Sequence, residues 1–338
     1  MKNQKLRFGV IGAGRIGKIH AENLVNHISE TDVVAISDII EAEVEKLSKQ
    51  FHIPGIFSNY DDIVSHPDID AIAICSPTPT HYDIILKAAA SGKDIFCEKP
   101  IDLSVDKIIE INKAVAKHGV KLMVGFNRRF DPNFLKVCDM VTSGQTGDPQ
   151  ILRITSRDPA PPPEEYIRSS GGLFLDMTIH DFDMARYLMN SEVTEVYARA
   201  NVMVDPVFEK AGDWDTAIVM LTFQNGAMCA IDNSRQAVYG YDQRVEVFGS
   251  RGMVTVKNNT PDNHIFIDAN GEHSALPLNF FMQRYTESYL NEMRAFVDSI
   301  KKDEQPPATG EDGLAAVKIG LAAMKSVAEN RPVKMDEI

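Results

Sequence analysis

The first third of the chain alternates short, continuously apolar runs with amphipathic stretches. Leu6 to Ile11 runs apolar into a glycine-rich segment, Val33 to Ile36 stops at Ser37-Asp38, and Ala71 to Cys75 is apolar throughout. Runs of this kind predict strands buried on both faces of a parallel sheet. Ile16 to His27 and Glu41 to Phe51 read as helices, as does the stretch opened by Pro79-Thr80 that runs to Ser91 and stops at Gly92. A strand at Asp94 to Cys97, a helix at Val105 to His118 and a strand at Lys121 to Val124 continue the series. This βαβα rhythm predicts a doubly wound parallel sheet.

The pattern changes after Phe130. A helix is expected over Asp131 to Ser143, a strand over Gln150 to Thr155, and a proline-rich loop over Asp158 to Glu165. Another helix is expected from about Gly172 to Met189. Beyond it strands dominate. Ala217 to Phe223 and Ala227 to Asp232 flank Asn225-Gly226, which predicts a hairpin on a type I′ turn. Val245 to Phe248 and Met253 to Val256 flank a second turn at Gly249 to Gly252, and helices over Thr286 to Lys301 and Gly310 to Glu329 close the chain. This half reads as an α+β domain on one mostly antiparallel sheet. In its hairpin Ile218 and Met220 alternate with Ala217, Val219 and Leu221, so both faces are apolar. One set suits the domain's own helices. The other needs a second cover, which predicts a homodimer or homotetramer built through this sheet.

A length of 338 residues favours two domains, expected at 1–125 for nucleotide binding and 126–338 for substrate binding and oligomerisation. Apolar residues at 44% and charged residues at 25% are ordinary for a globular protein. The net charge of −13 argues against nucleic-acid partners and anionic membrane surfaces. No apolar run reaches membrane-spanning length. Met1 to Arg7 is polar and leads into a strand, without the form of a signal peptide. Cys75, Cys97, Cys138 and Cys229 are scattered, so neither a disulfide framework nor a cysteine zinc site is expected, and a cytoplasmic location fits.

Gly12-Ala13-Gly14-Arg15-Ile16-Gly17 matches the G-x-G-x-x-G fingerprint, between a strand and a helix. Gly12 permits the tight turn, Gly14 the approach of a pyrophosphate, and Gly17 close packing of helix on strand. The helix N-terminus offers free N–H groups to the phosphates. Asp38 lies about 20 residues further on, where a carboxylate accepts ribose hydroxyls and repels a 2′-phosphate. NAD is therefore expected over NADP. Ligands of such sheets bind beyond the strand C-termini, so Ser76, Pro77 and His81 after one strand, and Glu98 and Lys99 after the next, are expected at the cofactor.

Oxidising a secondary alcohol needs a group to take the hydroxyl proton, a role that suits histidine, and a lysine can hold the oxygen. Asp176 and His180 stand four residues apart, on one face of the expected helix, with Asp183 near it. No Cys or second His accompanies them at ligand spacing, so no metal is expected.

With these motifs in place the chain resembles the glucose–fructose oxidoreductase, inositol dehydrogenase and rhizopine-catabolism (Gfo/Idh/MocA) family. The matching segments are Gly12 to Gly17, Phe96-Cys97-Glu98-Lys99-Pro100, Val124 to Asp131, and Gly171-Gly172 leading into Asp176 and His180-Asp181-Phe182-Asp183. They span both halves. Ser156-Arg157-Asp158-Pro159 and Tyr239-Gly240-Tyr241-Asp242 look most like inositol 2-dehydrogenases.

The resemblance implies a Rossmann domain followed by a large open sheet, and a catalytic set of Lys99, Asp176 and His180 converging at the nicotinamide. It also implies a cis bond between Lys99 and Pro100. Lys99 would contact both cofactor and substrate, and Arg157, Asp158 and Tyr241 would meet substrate hydroxyls. The implied reaction is oxidation of myo-inositol to scyllo-inosose. Alternatives are the same chemistry on scyllo-inositol, glucose or another sugar, or a non-catalytic NAD-binding sensor, which the presence of the whole catalytic set disfavours.

Overall fold

The computed structural model describes residues 5–338; the start of the polar stretch Met1 to Arg7 lies outside the described residues. The N-terminal elements are β1 (Leu6–Ile11), α1 (Arg15–Glu22), β2 (Thr31–Ser37), α2 (Glu41–Phe51), β3 (Gly55–Phe57), α3 (Tyr60–Ser65), β4 (Ala71–Ile74), α4 (His81–Ala90), β5 (Asp94–Glu98), α5 (Val105–His118) and β6 (Leu122–Gly125). The strands form a six-stranded sheet in the order β3-β2-β1-β4-β5-β6, with every pair parallel. All four residues of β4 are fully buried, as a strand covered on both faces requires. The expected doubly wound sheet is therefore present, and the order reverses direction between β1 and β4, where ligands of this fold bind. α5 starts on Ser104, whose hydroxyl accepts from the Lys107 amide, and stops on Gly119 at φ +66°.

The C-terminal part begins with α6 (Pro132–Thr142), capped by Asp131, which accepts from the Asn133 and Phe134 amides at 3.1 and 3.2 Å. Asp131 also forms a buried pair with Arg284. There follow β7 (Pro149–Arg157), α7 (Glu164–Ser169), α8 (Ile179–Met189), β8 (Val193–Asn201), α9 (Val207–Ala211), β9 (Thr216–Phe223), β10 (Met228–Ser234), β11 (Asp242–Gly249), β12 (Met253–Val256), β13 (Ile265–Asp268), β14 (Gly271–Ser274) and α10 (Phe281–Arg284). α11 (Thr286–Lys302), α12 (Gly310–Glu329) and β15 (Val333–Lys334) end the chain. Seven strands form the sheet β12-β11-β7-β10-β9-β8-β15, antiparallel except for the β7–β10 pair. Ala217, Val219 and Leu221 are buried while Ile218 and Met220 are 60% and 51% exposed, so one apolar face of the sheet is covered and the other open.

Backbone contacts divide the chain into two compact units. One holds the described residues through Phe130 with Glu287–Val317; the other holds Asp131–Thr286 with Lys318–Ile338. The segment Glu287–Val317 thus joins the nucleotide-binding unit, whereas a boundary at 125/126 assigns it to the second domain.

Four expectations need correction. The helix expected over Ile16 to His27 is α-helical only as far as Glu22 and continues as a π-helical turn, Asn23–His27. The β9–β10 hairpin does not use a type I′ turn, because Asn225 is not at positive φ. Gly226, at φ +85°, donates to the Phe223 carbonyl at 2.9 Å, and Phe223 donates to the Ala227 carbonyl at 2.9 Å. This is a three-residue loop with glycine in the left-handed position. The helix expected over Gly172 to Met189 is broken into a π-helical turn, Leu173–Met177, followed by α8. The expected proline-rich loop ends early, where Glu164 opens α7.

Candidate active site

In the first unit the glycine loop closes tightly at two of its three glycines. A Cβ on Gly17 would lie 1.9 Å from the Gly12 carbonyl oxygen, and one on Gly12, at φ +101°, would meet the Cys75 carbonyl carbon at 2.6 Å. A Cβ on Gly14 would meet nothing within 4 Å. Gly12 and Gly17 are thus required for the chain's own packing, while Gly14 borders open space at the start of α1, before Arg15 and Ile16. That is the division of labour a pyrophosphate cradle needs. Asp38, just past β2, accepts from the Ala13 amide at 2.6 Å and from the Ile40 amide at 2.9 Å. Two carboxylate oxygens retain further lone pairs for ribose hydroxyls. The residues present therefore fit a dinucleotide.

The ends of β4 and β5 are tied together by His81. Its ring is buried, with Nε2 2.7 Å from the Ser76 carbonyl oxygen and Nδ1 2.9 Å from that of Pro100. Burial lowers its pKa, against the two carbonyl contacts, which favour the charged ring. Both ring nitrogens are thus committed to the chain, and His81 fixes the loop that presents Ser76 and Pro77. The Lys99–Pro100 bond is cis, as expected. On the other side of Lys99, the Glu98 carboxylate lies 2.8 Å from His20 Nε2.

In the second unit Gly171 and Gly172 both stand at positive φ, +96° and +77°, and a Cβ on Gly172 would come within 2.6 Å of Asp213 Oδ1. Asp213 in turn accepts from the Leu173 amide at 2.9 Å. Glycine is required here, and this turn launches the π-helical segment that carries Asp176. Asp176 is nearly buried. It accepts from the Tyr166 hydroxyl at 2.8 Å and from Arg235 at 3.1 Å. Arg235, also buried, reaches Asp158 at 3.0 Å. Burial lowers the Arg235 pKa, but the two carboxylates outweigh it and hold the guanidinium firmly charged. His180, half-buried, follows at the start of α8. Beneath it Asp181 accepts from Asn233 at 2.8 Å, and Asn233 accepts from Thr178 at 2.8 Å, pinning α8 to β10.

Arg157 donates to Asp232 at 2.6 Å and to the Tyr239 hydroxyl at 3.0 Å. Tyr241 is buried edge-on against Tyr285. Of the second-unit residues singled out from sequence, the structure joins Asp158 and Asp176 through one guanidinium, with His180 on the element that follows Asp176. Arg235 and Tyr166 were missed. They lie 59 and 10 residues from Asp176, and no local pattern marks either as its partner.

Residues 6–126 match the model of an oxidoreductase family with an NAD-binding Rossmann fold, and residues 134–255 that of the GFO/IDH/MocA C-terminal domain. An uncharacterized oxidoreductase of Bacillus subtilis is 51% identical, over 97% of this chain and 96% of its own length. A myo-inositol 2-dehydrogenase of Thermotoga maritima is 48% identical, over 98% of this chain and 99% of its own. The crystal structure of scyllo-inositol dehydrogenase from Lactobacillus casei with bound NAD(H) and scyllo-inositol superposes with a TM-score of 0.91 at 32% identity, covering 98% of this chain and all of that one.

Proposed function

The chain belongs to the GFO/IDH/MocA oxidoreductase family, and we propose that it oxidises myo-inositol at one secondary alcohol, with NAD as the oxidant and the 2-ketone, scyllo-inosose, as product. The observation that carries the substrate assignment is the 48% identity to a myo-inositol 2-dehydrogenase over 98% of the chain, against 32% to the scyllo-inositol enzyme. The sheet, the open space at Gly14 and the Asp38 carboxylate supply the cofactor half.

When bound, NAD supplies the hydride acceptor. In the proposed reaction His180 takes the hydroxyl proton while the C–H bond of the same carbon breaks. The Lys99 ammonium holds the reacting oxygen and offsets the negative charge that develops on it. Asp176 orients the base and is itself held by Tyr166 and Arg235, so its carboxylate enters the reaction already placed. Arg157, Asp158 and Tyr241 are proposed to meet the remaining hydroxyls of the cyclitol. The two domains would divide the labour, residues 1–125 taking the cofactor and 126–338 the substrate. Neutral, polyhydroxylated substrates suit such a set of fixed charges, each of which hydrogen-bonds without needing a counter-ion.

Among the described residues no helix is long and apolar enough to cross a membrane. We propose a cytoplasmic enzyme. A second copy would cover the open face of the seven-stranded sheet, where Ile218, Met220, Met228, Phe248 and Met253 stand exposed.

The test of the mechanism is His180→Ala. Loss of a general base predicts turnover reduced by roughly 100-fold or more, with an unchanged melting temperature. Near-normal turnover would remove His180 from the reaction.

A further inference from the structure

The first unit contains a buried cluster that the proposed mechanism does not use. His20 on α1 and Glu292 on α11 are fully buried, and Glu98 at the end of β5 is nearly so. His20 Nε2 is 2.8 Å from Glu98 Oε1 and 3.8 Å from Glu292 Oε1. Neither oxygen of Glu292 has a hydrogen-bond partner among the described residues. His20 is held from two sides by rings, edge-on to Phe96 at 4.8 Å and to Tyr289 at 5.9 Å. Space for the Glu98 carboxylate comes from Gly125 at the end of β6, where a Cβ would stand 3.0 to 3.2 Å from both carboxylate oxygens.

We propose that His20 and Glu292 are positioning residues for Lys99, acting through Glu98; the inference rests on the role assigned to Lys99 above. A carboxylate oxygen can only accept, so the 2.8 Å contact means that Nε2 carries the proton and donates it to Glu98. Glu98 is thereby held one residue before Lys99, while His81 holds the Pro100 carbonyl one residue after it, at 2.9 Å. The backbone of Lys99 is clamped on both sides. Two carboxylates this close in a largely buried site disfavour each other's ionisation. Burial and the neighbouring Glu98 charge push the Glu292 carboxyl well above the usual range, so Glu292 keeps its proton. Other titratable groups that face it include the Cys75 and Cys97 thiols, the Tyr289 phenol and the His81 imidazole, which also feels the Glu98 charge. The Cys75 and Cys97 thiols are raised by burial and then by Glu98, and Tyr289 lies against His20. The raised thiols carry no charge at neutral pH, and burial holds His81 towards its neutral form. The three donor groups, whose ligand atoms lie within 4.8 Å of one another, could instead hold a divalent cation in place of the Nε2 proton, and the metal content of the purified protein distinguishes the two.

The fold gives this arrangement a physical origin. α11 comes from late in the chain yet packs in the first unit, where Ser288 donates to the Asn127 carbonyl and Asn291 to that of Phe130. The helix that buttresses the segment after β6 thus also delivers Glu292 behind the end of β5.

Two measurements test the proposal. Infrared spectroscopy of the whole protein at neutral pH should show the C=O stretch of a protonated carboxyl group that disappears in Glu292→Gln. This readout does not depend on the substrate assignment. Its absence in the wild type, or one equivalent of tightly bound metal in the purified protein, overturns the proposal. In steady-state kinetics with NAD and myo-inositol, His20→Ala and Glu292→Ala should each lower kcat roughly 10-fold or more, since a small misplacement of a reacting group costs up to about 100-fold. KM for NAD should stay near the wild-type value. His20→Gln, which restores a donor to Glu98, and Glu292→Gln, which mimics the neutral acid, should recover most of the loss. Gln variants as impaired as the Ala variants, or a loss confined to KM, would contradict it. If the wild type turns over no polyol at all, the functional reading fails while the infrared result still decides the state of Glu292.

Discussion

The Ala13 amide donates to Asp38 Oδ2 at 2.6 Å, so the residue expected to choose the cofactor is also the one that braces the glycine loop. The other oxygen accepts from the Ile40 amide at 2.9 Å, which aims the carboxylate from both sides. Charge-assisted hydrogen bonds to ribose hydroxyls are worth about 1.5–3 kcal/mol, and a 2′-phosphate would meet like charge. NAD should therefore be preferred over NADP by at least about 10-fold in kcat/KM. Asp38→Ser should narrow that ratio. An unchanged ratio would mean that the selector lies elsewhere; exposed Arg15, inside the loop, is then the first residue to examine.

Arg235 joins Asp158 and Asp176, and all three charges are at least largely buried. Removing one partner of a buried ion pair typically costs about 3–5 kcal/mol, because the charges left behind lose their compensation. Arg235→Met should lower stability to urea by an amount of that order and depress kcat, since Asp176 loses its hold on the guanidinium. A variant as stable as the wild type would show that the two carboxylates take up protons and dispense with the guanidinium.

Stability should also fall in acid through Asp312. Burial raises its pKa, but Arg129 at 3.0 Å and the Thr309 bonds outweigh this and hold it at about 2, below the ordinary 3.8. A folded pKa below the unfolded one means that the stabilisation is present above about pH 4 and is lost as pH falls through 4 towards 2. The shift corresponds to about 2 kcal/mol. Urea titrations should show the wild type losing that advantage over Asp312→Asn across this window. A difference independent of pH would rule out the ion pair as its source.

The sequence made the parallel sheet and the glycine loop legible because both depend on local signals: continuous apolar runs, glycine spacing, an acidic residue at the right distance. Both faces of the second sheet could be read from the alternation in β9. The π-helical turn at Leu173–Met177 could not, since it follows two positive-φ glycines and its first amide is held by Asp213, 40 residues away. Arg235 and Glu292 were invisible for the same reason. Their partners come from distant segments, and a single buried Arg or Glu looks like any surface charge until the fold assembles it. The three-residue β9–β10 loop shows a smaller failure: Asn-Gly signals a hairpin, but not which of its two residues takes positive φ.

The open face of the seven-stranded sheet makes its own prediction. Fully burying a side chain such as Ile218 or Met220 is worth about 1.5–3 kcal/mol, enough over several residues to hold two copies together. Light scattering should give a dimer or tetramer, and Ile218→Lys with Met220→Lys should shift it towards monomer. A monomeric wild type at micromolar concentration would contradict this.

The most direct test of the account is the rate of NADH formation, followed by its absorbance, with myo-inositol, scyllo-inositol and glucose as parallel substrates. The account predicts the highest kcat/KM for myo-inositol with NAD, and abolition of that activity in Lys99→Ala. A higher value for scyllo-inositol or glucose would overturn the substrate assignment, and no NAD reduction with any polyol would overturn the enzyme itself.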